Sequence, residues 1–181
     1  YETRTLLIAS GSRRRRLGVP GEDKLDGKGV AYCATCDAPL FKNKVVAVVG
    51  GGNAGLEAAL DLLSYARKIY ILVRGAALRG DEISEEKVKK SAKVEIIFNA
   101  VIEEILGGDF VSGLKYKNLV SGAVSGINLE GVFVEIGSVP NSDFVKSLVE
   151  LNKASEIVID PRTQSSSVPG IWAVGDVSDV K

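Results

Sequence analysis

Histidine is absent from these 181 residues, cysteine occurs twice and tryptophan once. The lack of imidazole removes the commonest general base and the commonest zinc ligand together, so acid–base work falls to Asp, Glu, Cys, Lys or Tyr. Net charge is also lacking. Lys and Arg number 23 against 23 Asp and Glu, so no net field draws the chain to nucleic acid or to an anionic membrane, and neither is an expected partner. Apolar runs such as Val45–Val49 are strand-sized and far short of a bilayer span, which implies a soluble chain. The length allows a real core without a disulfide scaffold. Two cysteines, with no basic-then-apolar leader pattern at the start, point to a reducing, cytoplasmic setting in which paired thiols are catalytic or metal-binding.

What is present is a succession of strands, glycine turns and helices. Residues 5–10 read as a short buried strand. Residues 11–21, with Arg13, Arg14, Arg15 and Arg16, read as a polar loop. Four arginines suggest a phosphate patch, but Glu22 and Asp23 beside them favour a solvated loop. From residue 45 the order is strand 45–49, turn 50–55, helix 56–66 and strand 69–73, a βαβ unit. Residues 81–93 are charged and helix-compatible, and 94–98 resume an apolar strand, so parallel layering continues. Beyond Asn99, turns at Gly107-Gly108-Asp109 and Ser121-Gly122 predict an antiparallel meander of about three strands. Residues 131–137 read as a further buried strand, broken by Pro140-Asn141. The tail is expected to hold a helix near 143–151 and strands at 157–160 and 171–174.

Gly50-Gly51-Gly52-Asn53-Ala54-Gly55 matches the dinucleotide fingerprint. Gly50 serves the tight turn, Gly52 the close approach of a pyrophosphate and Gly55 the packing of helix on strand. The match gains weight because it follows a buried strand and opens a helix whose amide-rich N-terminus, at Asn53 and Ala54, can hold phosphate. The competing reading is a tight turn with no ligand. About 20 residues on, an acidic side chain would bind the ribose 2′-hydroxyl of NAD(H), and an arginine would accept the 2′-phosphate of NADP(H). Arg74 ends the second strand and Arg79 follows, which favours NADP(H) over NAD(H); a merely solvated strand end is the alternative.

Cys33-Ala34-Thr35-Cys36 spaces two thiols so that they can close a small disulfide ring, and a helix N-terminus beneath them would lower one thiol's pKa. A zinc site would need about four ligands and, without histidine, a second chain. A pair of inert buried thiols is the other alternative. Asp37 stands next in sequence as a proton donor or acceptor during exchange, or as a helix cap.

Together these residues resemble the low-molecular-weight thioredoxin reductases and the similar flavoprotein subunit of alkyl hydroperoxide reductase, class II pyridine nucleotide-disulfide oxidoreductases. The resemblance spans the chain: residues 7–11 and 17–22 look like the strand and Pro-Gly-Glu loop before that family's dithiol. Thr163 and residues 170–176 resemble its second flavin motif. It implies an α/β fold: a Rossmann-like parallel sheet with an antiparallel β-meander in an NAD(P)H-binding domain at 25–138, flanked at 1–24 and 139–181 by parts of a FAD-binding domain of similar type. It implies electron flow from NADPH through FAD to the dithiol and on to thioredoxin or a thioredoxin-like protein. Cys36 would then face the flavin, Cys33 would attack the partner, Asp37 would act as acid, and Gly175 with Asp176 would hold the flavin's ribityl chain. Connections at 22–28 and 136–141 would be hinges.

Three departures from the pattern shape the expectation. No glycine-rich strand–turn–helix precedes Thr5, and the helix that follows the second flavin motif is missing after Lys181, so the sequence is expected to be the central portion of a longer, homodimeric enzyme. Gly75 stands where a second arginine is usual, which leaves NAD(H) open. Ala38, the segment Pro39-Leu40-Phe41 and Val120-Ser121-Gly122 lean towards the peroxide-reductase branch, whose members generally prefer NADH. A non-catalytic NAD(P)H-binding fragment and a flavoprotein without disulfide chemistry complete the alternatives; the paired cysteines argue against the last.

Overall fold

Val45-Val46-Ala47-Val48-Val49 carries no polar side chain because both of its faces are covered. The computed structural model describes residues 2–180. In chain order its strands are β1 (Leu6–Ile8), β2 (Ser12–Arg14), β3 (Val30–Ala31), β4 (Val45–Val49), β5 (Lys68–Val73), β6 (Val94–Phe98), β7 (Ala100–Gly107), β8 (Val111–Asn118), β9 (Val124–Asn128), β10 (Gly131–Val134), β11 (Ser138–Pro140) and β12 (Ile171–Ala173). The helices are α1 (Ala34–Asp37), α2 (Asn53–Leu63) and α3 (Glu82–Lys90). The chain divides into two compact units, one running from Arg16 to Ile136, the other formed by the residues on either side of that stretch.

In the larger unit β4 lies at the centre of a five-stranded sheet, order β3-β10-β4-β5-β6, parallel throughout. Strand alternation sorts its side chains between two cores. Val46 and Val48 join Leu56, Ala59 and Leu62 of α2 and Val88 of α3. Ala47 and Val49 join Ala100, Ile102, Ile105 and Leu114 of the antiparallel sheet β7-β8-β9. The layers are therefore helix, parallel sheet and meander, an α/β fold of Rossmann-like type with the antiparallel sheet that turn chemistry predicts. Each fully buried Val, Leu or Ile here contributes about 1.5–3 kcal/mol. Helix α2 runs from Asn53 to Leu63, earlier at both ends than the predicted 56–66, with the extended backbone of Gly52 leading into it. Helix α3 is shorter than the predicted 81–93: Asp81 accepts the Ser84 N–H at 2.9 Å as its cap, and acidic residues lie in its first turn and lysines in its last.

Residues 16–28 belong inside this unit. Glu22 is 1% exposed, Leu25 is fully buried, and the Glu22 carboxylate accepts the N–H groups of Leu17 and Gly18. The segment 22–28, expected as a connection, is thus a packed turn.

In the smaller unit β1 pairs in parallel with β12, and β2 in antiparallel with β11. The predicted loop at 12–14 is therefore a strand, with Arg13 and Arg14 exposed along a two-stranded ribbon. Arg13 pairs with Asp143, and Arg15 reaches the Ser138 carbonyl oxygen, so these cations are engaged within the ribbon's own surroundings. The predicted helix at 143–151 is a single 3-10 turn, Asp143–Val145. Only Val145 and Val149 need burial there, and the chain is then drawn extended: the Glu150 carbonyl oxygen accepts the Val158 N–H, and Leu151 bridges Ile157. Residues 157–160 likewise form isolated bridges in place of a strand. Among the described residues no helix is long and apolar enough to cross a membrane.

Candidate active site

Cys33 follows β3 with extended backbone and caps α1, its Sγ accepting the Cys36 N–H at 3.3 Å. The two cysteines form a disulfide, their Cα atoms 5.4 Å apart. Cys36 is exposed and Cys33 half-buried. A donor aimed at the Cys33 sulfur favours its thiolate once the bond opens. Both spacer residues are anchored: Ala34 is buried in the helix-side core, and Thr35 Oγ1 donates to Asp61 Oδ2 of α2 at 2.8 Å. Behind the pair, the 3-10 turn Ala38–Phe41 sets the Phe41 ring edge-on to Phe133, centroids 4.9 Å apart. Asp37 is half-buried, and its side chain makes no capping bond, which leaves the carboxylate unoccupied by the helix-cap role.

The glycine loop lies at the other end of α2. Gly50 has φ +136°, a conformation that side chains rarely adopt, and a β-carbon there would stand 2.1 Å from the Glu135 carbonyl oxygen. A β-carbon on Gly52 would meet nothing within 4 Å, and no side chain caps the first turn of α2. Open space above uncapped amides is what a pyrophosphate requires, so the residues present fit a dinucleotide. The Gly51 carbonyl oxygen accepts the Arg79 N–H at 2.7 Å, which holds Arg79 against this loop, and Asn53 Oδ1 accepts the Asp81 N–H at 2.8 Å. Asn53 thus works as a clamp on the 79–81 segment. Arg74 and Arg79 are exposed, and neither guanidinium has an ion pair among the described residues.

In the smaller unit Gly175 has φ +76° and opens a 3-10 turn that displays Asp176, whose Oδ2 accepts the Ser12 hydroxyl at 3.0 Å. Asp176, Ser12, Ser138 and Arg14 line a cavity of about 250 Å³. A carboxylate, two hydroxyls and a guanidinium form a donor and acceptor set suited to a polyhydroxylated chain such as a flavin's. Among the described residues no group of three or more His, Cys, Asp or Glu side chains is arranged to hold a metal ion.

The model of the pyridine nucleotide-disulphide oxidoreductase family matches residues 1–181. The chain belongs to this family. An alkyl hydroperoxide reductase subunit of Staphylococcus epidermidis is 42% identical over 180 residues, 99% of this chain and 35% of that protein. Its counterpart in Staphylococcus aureus is 44% identical over the same shares. Among solved structures, thioredoxin reductase of Lactococcus lactis superposes with TM-score 0.89 at 35% identity, over 98% of this chain and 58% of that one. That of T. acidophilum gives 0.88 at 37%, over 100% and 60%. The chain therefore spans about a third of the peroxide-reductase relatives and under two thirds of the thioredoxin reductases. Membership in this family implies use of a flavin and a pyridine nucleotide.

Sequence reasoning missed three contributors. Tyr32, next to Cys33, donates its hydroxyl to the buried Glu22 at 2.9 Å, and the Arg16 guanidinium lies 5.1 Å from its ring centroid. Burial first, then the bond to Glu22, pushes the Tyr32 phenol well above the usual tyrosine range. Asp61 is the second and the clamp role of Asn53 the third. No periodicity marks any of them; the Pro20-Gly21-Glu22 sequence beside a buried strand was the available sign for Glu22.

Proposed function

We propose that this chain carries the dithiol and the nucleotide-holding elements of an enzyme that passes electrons from NADPH, through FAD, to the Cys33–Cys36 disulfide and on to thioredoxin or a thioredoxin-like protein or domain. One observation carries the reading: a disulfide and an uncapped dinucleotide loop are fixed to the same helix, α2. FAD, when bound, supplies the two-electron carrier between a hydride donor and a disulfide.

The remaining steps belong to this chain's own residues. In the larger unit, proposed as the NAD(P)H-binding domain, the amides at Asn53, Ala54 and Gly55 and the open Gly52 receive the pyrophosphate. Arg74 and Arg79 receive the 2′-phosphate of NADP(H), and Gly75 leaves NAD(H) tolerated. In the smaller unit, proposed as part of the FAD domain, Gly175 presents Asp176 to the ribityl hydroxyls. In the reduced pair the Cys33 thiolate attacks one sulfur of the partner's disulfide, forming a mixed disulfide and releasing one partner thiol. Cys36 then attacks Cys33, releasing the second partner thiol and restoring the Cys33–Cys36 bond. Asp37 holds the proton that the leaving thiolate takes up. The working enzyme is proposed as a cytoplasmic homodimer.

The 42–44% identity to alkyl hydroperoxide reductase subunits supports a second reading, in which the acceptor is a thioredoxin-like domain serving peroxide reduction. The full-length protein should be yellow, and anaerobic NADPH should bleach it and expose two thiols; a colourless protein would favour a non-catalytic fragment. Cys33→Ser should abolish thioredoxin reduction and spare electron transfer from NADPH to a dye. Loss of both activities would refute the electron order, and brisk turnover with a thioredoxin-like domain but none with free thioredoxin would establish the second reading.

A further inference from the structure

Thr35 and Asp61 are both exposed, so their 2.8 Å hydrogen bond satisfies no buried group and adds little to stability. It does tie the spacer of the disulfide ring to α2. We propose that Asp61 is a positioning residue for the dithiol: through Thr35 it fixes the ring, and its carboxylate, tied to the spacer of that ring, opposes thiolate formation and so keeps the reduced pair strongly reducing. The proposal rests on the reading of Cys33 and Cys36 as a redox couple.

The charged groups on the elements packed against α1 are Asp37 on α1 itself, Glu57 and Asp61 on α2, and Lys42 after the 3-10 turn, with the phenol of Tyr32 preceding the pair. Carboxylates predominate. Opening the ring consumes two electrons and two protons, and thiolate forms in the product in proportion to how well its surroundings tolerate negative charge. A pair whose reduced form is stabilised as thiolate is a stronger oxidant; a carboxylate held nearby therefore pushes the couple the other way, towards donating electrons. The Thr35 hydroxyl, committed to Asp61, is also withheld as a donor to sulfur.

Asp61→Asn separates charge from geometry, because its amide oxygen still accepts the Thr35 hydroxyl. The full-length protein is equilibrated in reduced and oxidised glutathione, the dithiol fraction is read by alkylation, and the pH profile of iodoacetamide reaction is recorded. Neither readout needs nucleotide or flavin. At about pH 9, where thiols of ordinary acidity carry thiolate, Asp61→Asn should shift the equilibrium about two- to threefold towards the dithiol, the usual weight of one exposed charge–charge interaction, and should move the alkylation midpoint to lower pH. Thr35→Val, which lets the carboxylate swing away, should reproduce part of the shift, and the double variant should go no further than Asp61→Asn alone. Unchanged equilibrium and profile in Asp61→Asn, an equal shift in the control Glu57→Gln, or additive single effects would overturn the proposal. A parent pair that never opens in either buffer would overturn the redox reading itself, and this inference with it.

Discussion

Gly55 lies so close to Gly50 that a β-carbon on Gly55 would stand 2.3 Å from the Gly50 carbonyl oxygen, whereas one on Gly52 would meet nothing within 4 Å. Two glycines of one fingerprint therefore have separable duties, one packing the turn and one leaving room for a ligand. Gly55→Ala should lower the urea midpoint by the equivalent of about 1–3 kcal/mol, the usual cost of overpacking. Gly52→Ala should hold the urea midpoint to within about 0.5 kcal/mol of the parent and weaken NADPH at least about tenfold in a fluorescence titration. The reverse assignment would show that the fingerprint does not face a nucleotide.

Arg74→Ala and Arg79→Ala should each weaken NADPH by about 10- to 100-fold, the loss of one charge-assisted contact, and change NADH binding by less than about twofold. Equal losses for both nucleotides would remove the 2′-phosphate from the account.

Asn53→Ala should act on the same pocket without touching the phosphate. Its Oδ1 holds the Asp81 N–H, and release of that clamp loosens the segment that carries Arg79. A rise of about five-fold in KM for NADPH, the weight of one ordinary hydrogen bond, is expected at unchanged kcat. A fall in kcat at constant KM would place Asn53 in the chemistry.

Tyr32 predicts an alkaline weakness. Its phenol ionises above the usual tyrosine range when folded and near pH 10 when unfolded, so the unfolded state loses its proton first. The stability this group adds is fully present below about pH 10 and is lost as the pH rises above it towards the folded value. Urea midpoints taken from pH 8 to 11 should fall more steeply for the parent than for Tyr32→Phe. Parallel slopes would mean that the Tyr32 phenol is neither buried nor bonded to Glu22 in solution.

The strand–glycine loop–helix–strand centred on β4 was legible because each of its signals is local: an unbroken β-branched run, three glycines at fixed spacing, and a buried stripe of Leu56, Ala59 and Leu62. The cysteine pair was legible for the same reason. The 143–151 segment was misread because helix-compatible composition there loses to ties made elsewhere: the Val158 N–H donates to the Glu150 carbonyl oxygen, and the Glu150 N–H donates to the Ser167 hydroxyl oxygen. An arginine-rich stretch does not look like a strand until Ser138–Pro140 lies beside it. The bonds Thr35–Asp61 and Asn53–Asp81 span 26 and 28 residues and leave no trace in any window of sequence.

Arg15 donates its N–H to the Gly137 carbonyl oxygen at 2.9 Å, closing the ribbon of β2 and β11 at the two points where the chain leaves the smaller unit and returns to it. Everything between is contiguous. A growing chain can therefore complete residues 16–136 while the later half of the smaller unit is still unsynthesised, and the finished insert then delivers Gly137 to its partner. Without that delivery the two halves would have to find each other across a loop of more than a hundred residues, a closure of about 4–5 kcal/mol in chain entropy. Vectorial synthesis would then complete the unit that carries the cysteines first, and that unit would serve as the clasp by which the interrupted one is assembled.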